Sequence, residues 1–323
     1  MSYTLPATFP RWQLATSLPP ATSHEHQIAT PSDVTVVIPV KDDPAGLGET
    51  LDVLTVLWPE NQPGKVLVVD DGSQDGGAAT RMAASAAMST GLPTEAIVLG
   101  SNRGPAGARN AGAARVGTSW VWFLDAGVRP SPGFLSALCA VAHDTPAVAW
   151  TGPIQAEPTG PIAAYYEAQA TLCPPSDAEG HLQAFVTASV VINMSAFTAA
   201  GGFDVRFRRA ACEDLDLGMR LRAHGLIGWL TELGVHHRFD EDLDDFRKRF
   251  RRYGFGFAQF GAKWGVDMEP WPVTPRLPDS FSRHLAQVQF EELTKGWQEA
   301  QALETQLRQA LSAQPSTAMP AAW

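Results

Sequence analysis

Several acidic side chains of this sequence come directly after short apolar runs or open an amphipathic segment. The run "VLVVDDGSQDG" places Asp70 and Asp71 after apolar residues, and "VWFLDAGVRP" does the same for Asp125. A further acidic pair, Glu213 and Asp214, opens the segment "CEDLDLGMRL". Such carboxylates can accept a hydrogen bond from a base, bind a divalent cation or take a proton from an attacking hydroxyl.

A structural explanation exists for each motif when it stands alone. Asp-Asp-Gly-Ser after a strand is typical of an Asx turn, and acidic residues at a helix start are favoured by the helix dipole. The segment "NRGPAGARNAG" can be a helix start whose small residues pack against a sheet. Its Asn102, Arg109 and Asn110 could also hold a diphosphate, because N–H-rich helix starts and a guanidinium attract phosphate oxygens.

The elements that would position these residues alternate between strand and helix, which predicts an α/β fold. Short β-branched runs at 34–40, 65–69, 96–99 and 120–124 are separated by helical segments at 47–57, 78–88 and 106–116, and a further helix is predicted at 132–141. Such alternation implies a parallel sheet with helices on both faces. Ligands of open α/β sheets bind beyond the carboxyl ends of the strands, where the aspartates lie.

Bulk composition excludes several classes of function. The 323 residues are 45% hydrophobic, as in a folded globular protein, and the formal net charge of -10 argues against general nucleic-acid binding. Three widely separated cysteines, Cys139, Cys173 and Cys212, fit a reducing compartment better than a disulfide framework. With no secretory pattern and no run of about 18 apolar residues, the sequence predicts a cytoplasmic protein.

The order of the motifs is more specific than any one of them. "TVVIPVKDDPAGL", "VLVVDDGSQDG", "NRGPAGARNAG", "VWFLDAGVRP", "GGFD" and "CEDLDLGMRLRAHG" follow one another. This order resembles the inverting family-two glycosyltransferases of the GT-A fold over about residues 33–260. Within that family, the first block, the "GPAGARNAG" segment and the "YEA" segment resemble the mycofactocin-type glycosyltransferases. The resemblance implies transfer of a sugar from a nucleoside-diphosphate sugar to an acceptor hydroxyl with inversion.

Composition and residue pattern divide the chain into four parts, and the resemblance assigns a role to the two middle ones. Residues 1–32 would be an irregular leader, and residues 33–149 a Rossmann-like nucleotide-sugar-binding half with a mostly parallel central sheet and helices on both faces. Residues 150–265 would form the acceptor and catalytic half of the GT-A domain, and residues 266–323 a C-terminal helical extension with one amphipathic helix at 281–311.

Donor-binding roles follow from the matched positions. Asp71 would accept the N–H of a uracil-like base, which makes a UDP-sugar the expected donor. Pro39 and Lys41 lie at the same rim, where the family usually places an aromatic residue against the base. A lysine stem can cover a base while its ammonium approaches phosphate. The other predicted donor-side residues are Asn102, Arg109, Asn110, Asp125, Arg249, Arg252 and Tyr253.

Three of those residues belong to "FRKRFRRYGFG", the one dense basic run of an acidic sequence. Arg249, Arg252 and Tyr253 resemble the family's arginine-rich segment beside the donor. A solvated helix face balanced by the preceding "DEDLDD" explains the run equally well. Peripheral contact with the inner face of a membrane stays open as a further interpretation.

The predicted metal site lacks one carboxylate. Asp125 matches the first acidic residue of the family's Asp-x-Asp motif, whereas Gly127 stands where the second is expected. Mg²⁺ or Mn²⁺ there would bridge the two phosphates and neutralise the leaving group. The family often adds a histidine after the acidic helix, and "ELGVHHRF" offers His236 and His237, of which His237 is the better match. We therefore expect a cation that binds weakly through Asp125 and His237 or is dispensable.

By the same resemblance, Asp214 is the predicted general base and Glu213 orients its loop. The expected acceptor is a carbohydrate, a peptide-derived molecule or a lipid-linked molecule, and no nucleic acid is expected. Two other functions remain open. One is a degenerate GT-A domain that binds a nucleotide or a partner without catalysis, which Gly127 favours. The other is a nucleotidyltransferase, which would need an early glycine-rich basic loop, and "PVKDDPAGLG" is poor in both.

Overall fold

A central twisted sheet organises the computed structural model, which describes residues 28, 30–57, 64–142, 147–157, 159–176 and 180–313, with side chains to residue 306. Most of the predicted leader at 1–32 therefore lies outside the described residues. The strands are β1 Val34–Val40, β2 Lys65–Asp70, β3 Thr94–Val98, β4 Trp120–Leu124, β5 Val128–Pro130, β6 Ala147–Thr151, β7 Ile154–Ala156, β8 Ser189–Asn193, β9 Leu226–Trp229 and β10 Val235–His237.

Nine α-helices occur in the part of the chain that the structure describes. They are α1 Pro44–Leu57, α2 Ala78–Ser89, α3 Gly104–Ala113, α4 Phe134–Ala142, α5 Pro161–Gln169, α6 Met194–Ala199, α7 Glu213–Leu221, α8 Leu243–Trp264 and α9 Ser280–Ala313. The described residues also include two short 3-10 helices, Pro31–Asp33 and Thr231–Leu233. None of the described helices is both long enough and apolar enough to span a membrane.

Seven strands form the main sheet in the order β3-β2-β1-β4-β8-β6-β9. The pairs among β1 to β4 are parallel, and β8 runs antiparallel between β4 and β6. A second sheet has the order β5-β10-β7. The α/β class and the mostly parallel sheet predicted from the sequence are confirmed. Strands from both predicted halves of the GT-A domain share the main sheet.

Alternating side chains place a separate core on each face of the sheet. In β1, Val36 and Ile38 join a cluster with apolar residues of α1, α2 and α4, whereas Val37 joins a cluster with α3, α6 and α7. This alternation is the period of two expected of a strand. Helices therefore cover both faces, as the sequence pattern predicted.

A third core cluster joins α5, α8 and α9. The helices α8 and α9 approach each other at two glycines. A Cβ atom on Gly254 would collide with the carbonyl oxygen of Leu293, and one on Gly296 would collide with that of Arg251. Because backbone atoms form both contacts, neither can be relieved by a side-chain rotation. The predicted C-terminal extension is thus packed tightly onto the rest of the chain.

We expect Gly254→Ala to lower the free energy of unfolding by about 1–3 kcal/mol, the usual cost of overpacking. Gly48→Ala in α1 is the matched control, because a Cβ atom there meets no other atom within 4 Å. That change should raise the free energy of unfolding by about 0.5–1 kcal/mol, since alanine favours the helix. Denaturant titration measures both, and a Gly254→Ala variant as stable as the parent would contradict the tight contact.

Candidate active site

The carboxyl ends of β1, β2 and β4 meet at one edge of the sheet, and a cavity of about 160 Å³ lies beyond β4. Residues from distant parts of the chain line it. Eight of them were predicted from the sequence as site residues: Arg109, Asp125, Glu213, Asp214, His237, Arg249, Arg252 and Tyr253. The fold therefore brings together the predicted base, the predicted metal ligands and part of the predicted donor site.

Arg109 joins two of the carboxylates. Its side chain is buried in α3, and its Nη1 donates to Glu213 Oε1 at 2.8 Å while its Nη2 donates to Asp125 Oδ1 at 2.8 Å. Burial alone would lower the pKa of the guanidinium, but Asp125 and Glu213 outweigh it and raise that pKa above its ordinary value. Arg109 is a fixed cation that orients both acidic groups.

The acidic pair opens α7 after Cys212, whose φ of 65° turns the chain into the helix. Asp214 is held by N–H groups: that of Leu215 donates to Oδ1 at 2.8 Å, and that of Thr187 approaches Oδ2 at 3.4 Å. Burial raises the pKa of both Glu213 and Asp214, against the nearby guanidinium of Arg109. A carboxylate with increased proton affinity beside a cavity is suited to act as a base.

Gly127 has a structural reason to be glycine. The N–H of Val128 donates to the carbonyl of Asp125 at 3.2 Å, so residues 125–128 form a turn with Gly127 in its third position at φ 80°. A positive φ at this position of a turn strongly favours glycine. The N–H of Gly127 also bonds to Gly46 O and Thr50 Oγ1, each at 3.0 Å. The missing carboxylate therefore coincides with a sharp turn between β4 and β5.

His237 lies in β10 of the second sheet and pairs there with Val128 of β5, the last residue of this turn. Its Nδ1 lies 2.7 Å from the carbonyl of Arg238, so Nδ1 carries the proton and Nε2 keeps its lone pair. Burial lowers the pKa of His237, and the charge of Arg249 adds to this effect. The ring stacks on Phe239 with centroids 4.1 Å apart. His236 is exposed. A neutral imidazole of this kind can bind a metal.

The donor set fits a divalent cation only in part. Among the described residues, no group of three or more His, Cys, Asp or Glu side chains is placed to hold a metal. One oxygen of Asp125 is engaged by Arg109, which leaves the other oxygen and His237 Nε2 as protein donors. Mg²⁺ often binds through one or two carboxylates plus substrate phosphates and water. The residues thus suit an ion that arrives with a diphosphate rather than a resident one.

The predicted base-binding residues lie at the same sheet edge but do not line the cavity. Asp71 is buried, and its Oδ1 accepts the N–H of Arg103 at 2.7 Å. Burial raises the pKa of Asp71, while this bond and the charge of Lys41 oppose the shift. Lys41 itself is paired with Asp42. Asp71 after β2 and Lys41 after β1 thus lie at adjacent strand ends, and Pro39 lies in β1 just before its last residue.

Two predicted phosphate ligands make contacts within the protein. The side chain of Asn102 accepts the N–H of Gly104 at 2.8 Å. Asn110 donates to the carbonyl of Phe203 at 2.8 Å and accepts the N–H of Phe203 at 2.9 Å, so both ends of its amide are used. Neither residue lines the cavity. In this structure Asn110 fixes the "GGFD" loop against α3.

Arg249 and Arg252 differ in their partners. The guanidinium of Arg249 forms an ion pair with Glu241, donates to the hydroxyl of Tyr253 at 3.2 Å and lies 5.2 Å from the ring centre of Phe239. Arg252 donates to the carbonyl of residue 210 at 3.1 Å and enters no ion pair with the described residues. Arg252 is consequently the basic side chain of the cavity whose charge is not already balanced.

Two further residues of the cavity wall, Thr171 and Gln289, were not predicted from the sequence. Gln289 had a detectable signal, because it lies on the buried stripe of α9 between Leu285 and Leu293, at helical spacing. A polar residue in such a stripe needs a partner. Thr171 follows α5 in an irregular segment and had no comparable signal.

The fold and the site together define a class of protein, the GT-A glycosyltransferases. The mannosyltransferase PcManGT of Pyrobaculum calidifontis, solved with GDP-Man and Mn²⁺, is 17% identical with a TM-score of 0.54, covering 90% of this chain and 84% of its own. Residues 1–349 of TarS from S. aureus, solved with UDP-GlcNAc, are 15% identical with a TM-score of 0.51, covering 87% of this chain and 77% of theirs.

Residues 35–199 match Glycosyl transferase family 2, and residues 120–294 match Glycosyl transferase family group 2. The chain belongs to glycosyl transferase family 2. The pre-mycofactocin glycosyltransferases of two Mycobacterium tuberculosis strains, CDC 1551 / Oshkosh and ATCC 25618 / H37Rv, are 33% identical over 240 residues, which is 72% of this chain and 48% of theirs. The chain spans about half the length of these relatives. The resemblances to the family-two glycosyltransferases of the GT-A fold and to the mycofactocin-type glycosyltransferases are confirmed.

We expect Arg109→Lys to lower the free energy of unfolding by about 1–3 kcal/mol, because one ammonium cannot bridge Asp125 and Glu213 and one buried carboxylate loses its partner. Arg115→Lys on the exposed end of the same segment should change stability by less than about 0.5 kcal/mol. Denaturant titration measures the stability of both variants. If Arg109→Lys lowers the free energy of unfolding no more than Arg115→Lys does, the bridge between Asp125 and Glu213 does not stabilise the fold.

Proposed function

We propose that the chain transfers a sugar from a nucleoside-diphosphate sugar to an acceptor hydroxyl, with inversion at the anomeric carbon. The supporting observation is the cavity that brings Asp125, Asp214 and Arg252 together beyond the carboxyl ends of the strands. It offers a base, a cation and a carboxylate that can hold a metal around one space. These are the groups that one in-line displacement requires.

Asp214 acts as the general base in this proposal. The acceptor oxygen forms a bond to the anomeric carbon while the bond from that carbon to the diphosphate oxygen breaks. The hydroxyl proton passes to Asp214, and the nucleoside diphosphate leaves with the bonding electrons. The N–H groups of Thr187 and Leu215 fix the carboxylate, and its raised pKa favours proton acceptance. Glu213 orients Arg109 and the start of α7.

Charge balance argues for an added cation. The single guanidinium of Arg109 faces three carboxylates, those of Asp125, Glu213 and Asp214, so a diphosphate would enter a site that is already negative. Arg252 offsets part of this charge. Mg²⁺ or Mn²⁺ carried in with the diphosphate and held by Asp125 and His237 would neutralise the leaving group.

The favoured donor is a UDP-sugar, with Asp71 accepting the N–H of uracil and with Pro39 and Lys41 beside the base. Solved proteins of the same fold hold UDP-GlcNAc in one case and GDP-Man in another, so a panel of nucleotide sugars is the direct test. The acceptor class is a carbohydrate, a peptide-derived molecule or a lipid-linked molecule, and the reaction takes place in the cytoplasm or at the inner face of a membrane.

Asp214→Asn should abolish release of nucleoside diphosphate from the cognate donor while UDP affinity stays near that of the parent, because the change removes the base and leaves the nucleotide site intact. Turnover is followed with the sugar-nucleotide panel and affinity by calorimetry. Asp216→Asn is the matched control on α7, since Asp216 binds Arg220 and Trp264 and does not line the cavity. It should lower stability and keep turnover.

Two results would overturn this function. Near-normal turnover of Asp214→Asn would reject Asp214 as the base. A parent protein that binds UDP and turns over no donor would be the degenerate domain, whereas pyrophosphate release would indicate a nucleotidyltransferase.

Gly127→Asp should lower the metal concentration needed for half-maximal activity, because it adds an oxygen ligand and a negative charge beside Asp125. Gly127→Asn is the matched control: both residues tolerate positive φ, so the two variants share any backbone strain and differ in charge. The measurement is a Mg²⁺ and Mn²⁺ titration with the cognate donor. Titrations of both variants that match the parent, with and without chelator, would show that position 127 does not face the phosphates. Full activity of the parent in a chelator would show instead that fixed cations neutralise the leaving group.

A further inference from the structure

Four buried side-chain atoms without a hydrogen-bond partner among the described residues belong to the walls of the active-site cavity. They are Arg109 Nε, Thr171 Oγ1, Glu213 Oε2 and Gln289 Nε2. Leaving a buried polar atom unpaired costs about 1–3 kcal/mol, and such atoms are rare in folded proteins. Their concentration in one cavity indicates that a bound molecule supplies the missing partners.

The four atoms divide into two groups. Arg109 and Glu213 belong to the network that orients Asp125, on the side where the proposed donor reacts. Thr171 follows α5, and Gln289 lies in α9, so both belong to the part of the chain outside the predicted nucleotide-binding half. Neither is needed to hold a catalytic carboxylate. Their free hydrogen-bonding capacity is available to another molecule.

Gln289 is held ready for such a contact. It is fully buried, and the hydroxyl of Tyr165 donates to its Oε1 at 2.8 Å. A tyrosine hydroxyl can also accept, so whichever way the amide is turned, Tyr165 holds one end and the other end has no partner. The tight packing of α9 on α8 at Gly254 and Gly296 fixes the position of the helix that carries it.

The remaining walls around these two residues are mostly apolar. They include Leu172, Pro175, Phe185, Phe250, Phe257 and Leu293. The cavity is lined by three carboxylates and three arginines, and two of the arginines, Arg109 and Arg249, are already paired, so a neutral acceptor fits better than a second anion beside the diphosphate. An acceptor that fits this wall has an apolar body, a reacting hydroxyl and a neutral group with a hydrogen-bonding oxygen.

We propose that Gln289 and Thr171 form the acceptor subsite, in which the amide of Gln289 donates to a carbonyl or hydroxyl oxygen of the acceptor while the reacting hydroxyl lies at Asp214. This inference rests on the proposed function, because it takes Asp214 as the base. It gives the C-terminal helix α9 a direct part in acceptor selection.

Two benzyl alcohols test the subsite, because they share the hydroxyl and the ring and differ in one group. 4-(Hydroxymethyl)benzamide carries a carbonyl, and 4-methylbenzyl alcohol carries a methyl group. Dissociation constants are measured by NMR titration of UDP-saturated protein. We expect the parent to bind the amide about three- to tenfold more tightly than the methyl compound, as one neutral hydrogen bond provides. Gln289→Leu should reduce this ratio to about one.

Gln287→Leu is the matched control, because Gln287 makes the same chemical change on the exposed face of α9, where its amide donates to Glu291. It should keep the preference of the parent. Thr171→Val keeps the hydrogen bond between Tyr165 and Gln289 and should also lower the preference for the amide over the methyl compound. This second variant preserves the test if Gln289→Leu does not fold.

Three results would overturn the subsite. The parent could bind neither alcohol at 20 mM, it could bind both equally, or the preference could survive in folded Gln289→Leu. UDP affinity and UDP release from the donor panel are measured on the same preparations. If the parent releases UDP and the preference is absent, the subsite fails and the proposed function stands. If the parent releases a nucleoside diphosphate from no donor of the panel, the proposed function fails first.

Discussion

The buried guanidinium of Arg109 connects three elements that are far apart in the sequence. It lies in α3 and binds Asp125 at the end of β4 and Glu213 at the start of α7. Removing one partner of a buried ion pair destabilises a protein by more than the pair itself contributes to stability, because the remaining charge is buried without a partner. The positions of β4, α3 and α7 are therefore coupled, and the acidic residues next to the cavity depend on that coupling.

This arrangement limits the chemistry of Asp125. One of its oxygens is used by Arg109, and the turn that follows requires a residue that accepts a φ of 80°. An aspartate at position 127 can adopt this conformation, but with more strain than glycine. Glycine avoids that strain, and in the proposed reaction it leaves one carboxylate fewer to hold a cation, so Arg109 and Arg252 would carry more of the charge compensation.

Much of this site could be predicted from the sequence. The β-branched runs locate β1, β2 and β4, and the rule that ligands bind beyond strand ends then brings Asp71 and Asp125 to one edge. The motif order predicted Arg109 and Asp214 as site residues, and the fold places both in the cavity. The internal partner of Asn110 was not predictable, because Phe203 lies 93 positions away from it. Residue patterns report local periodicity and say nothing of such distant hydrogen bonds.

The long helix α9 shows the same limit and a way around it. Its amphipathic pattern predicted a helix, but a pattern does not state which surface the apolar stripe covers. The position of Gln289 between Leu285 and Leu293 was the available clue, because a buried amide is unfavourable unless each end finds a partner. Tyr165 satisfies one end. The other end has no partner among the described residues and borders the cavity that holds Asp214. A fold can retain such an unpaired buried group where a ligand supplies the missing hydrogen bond.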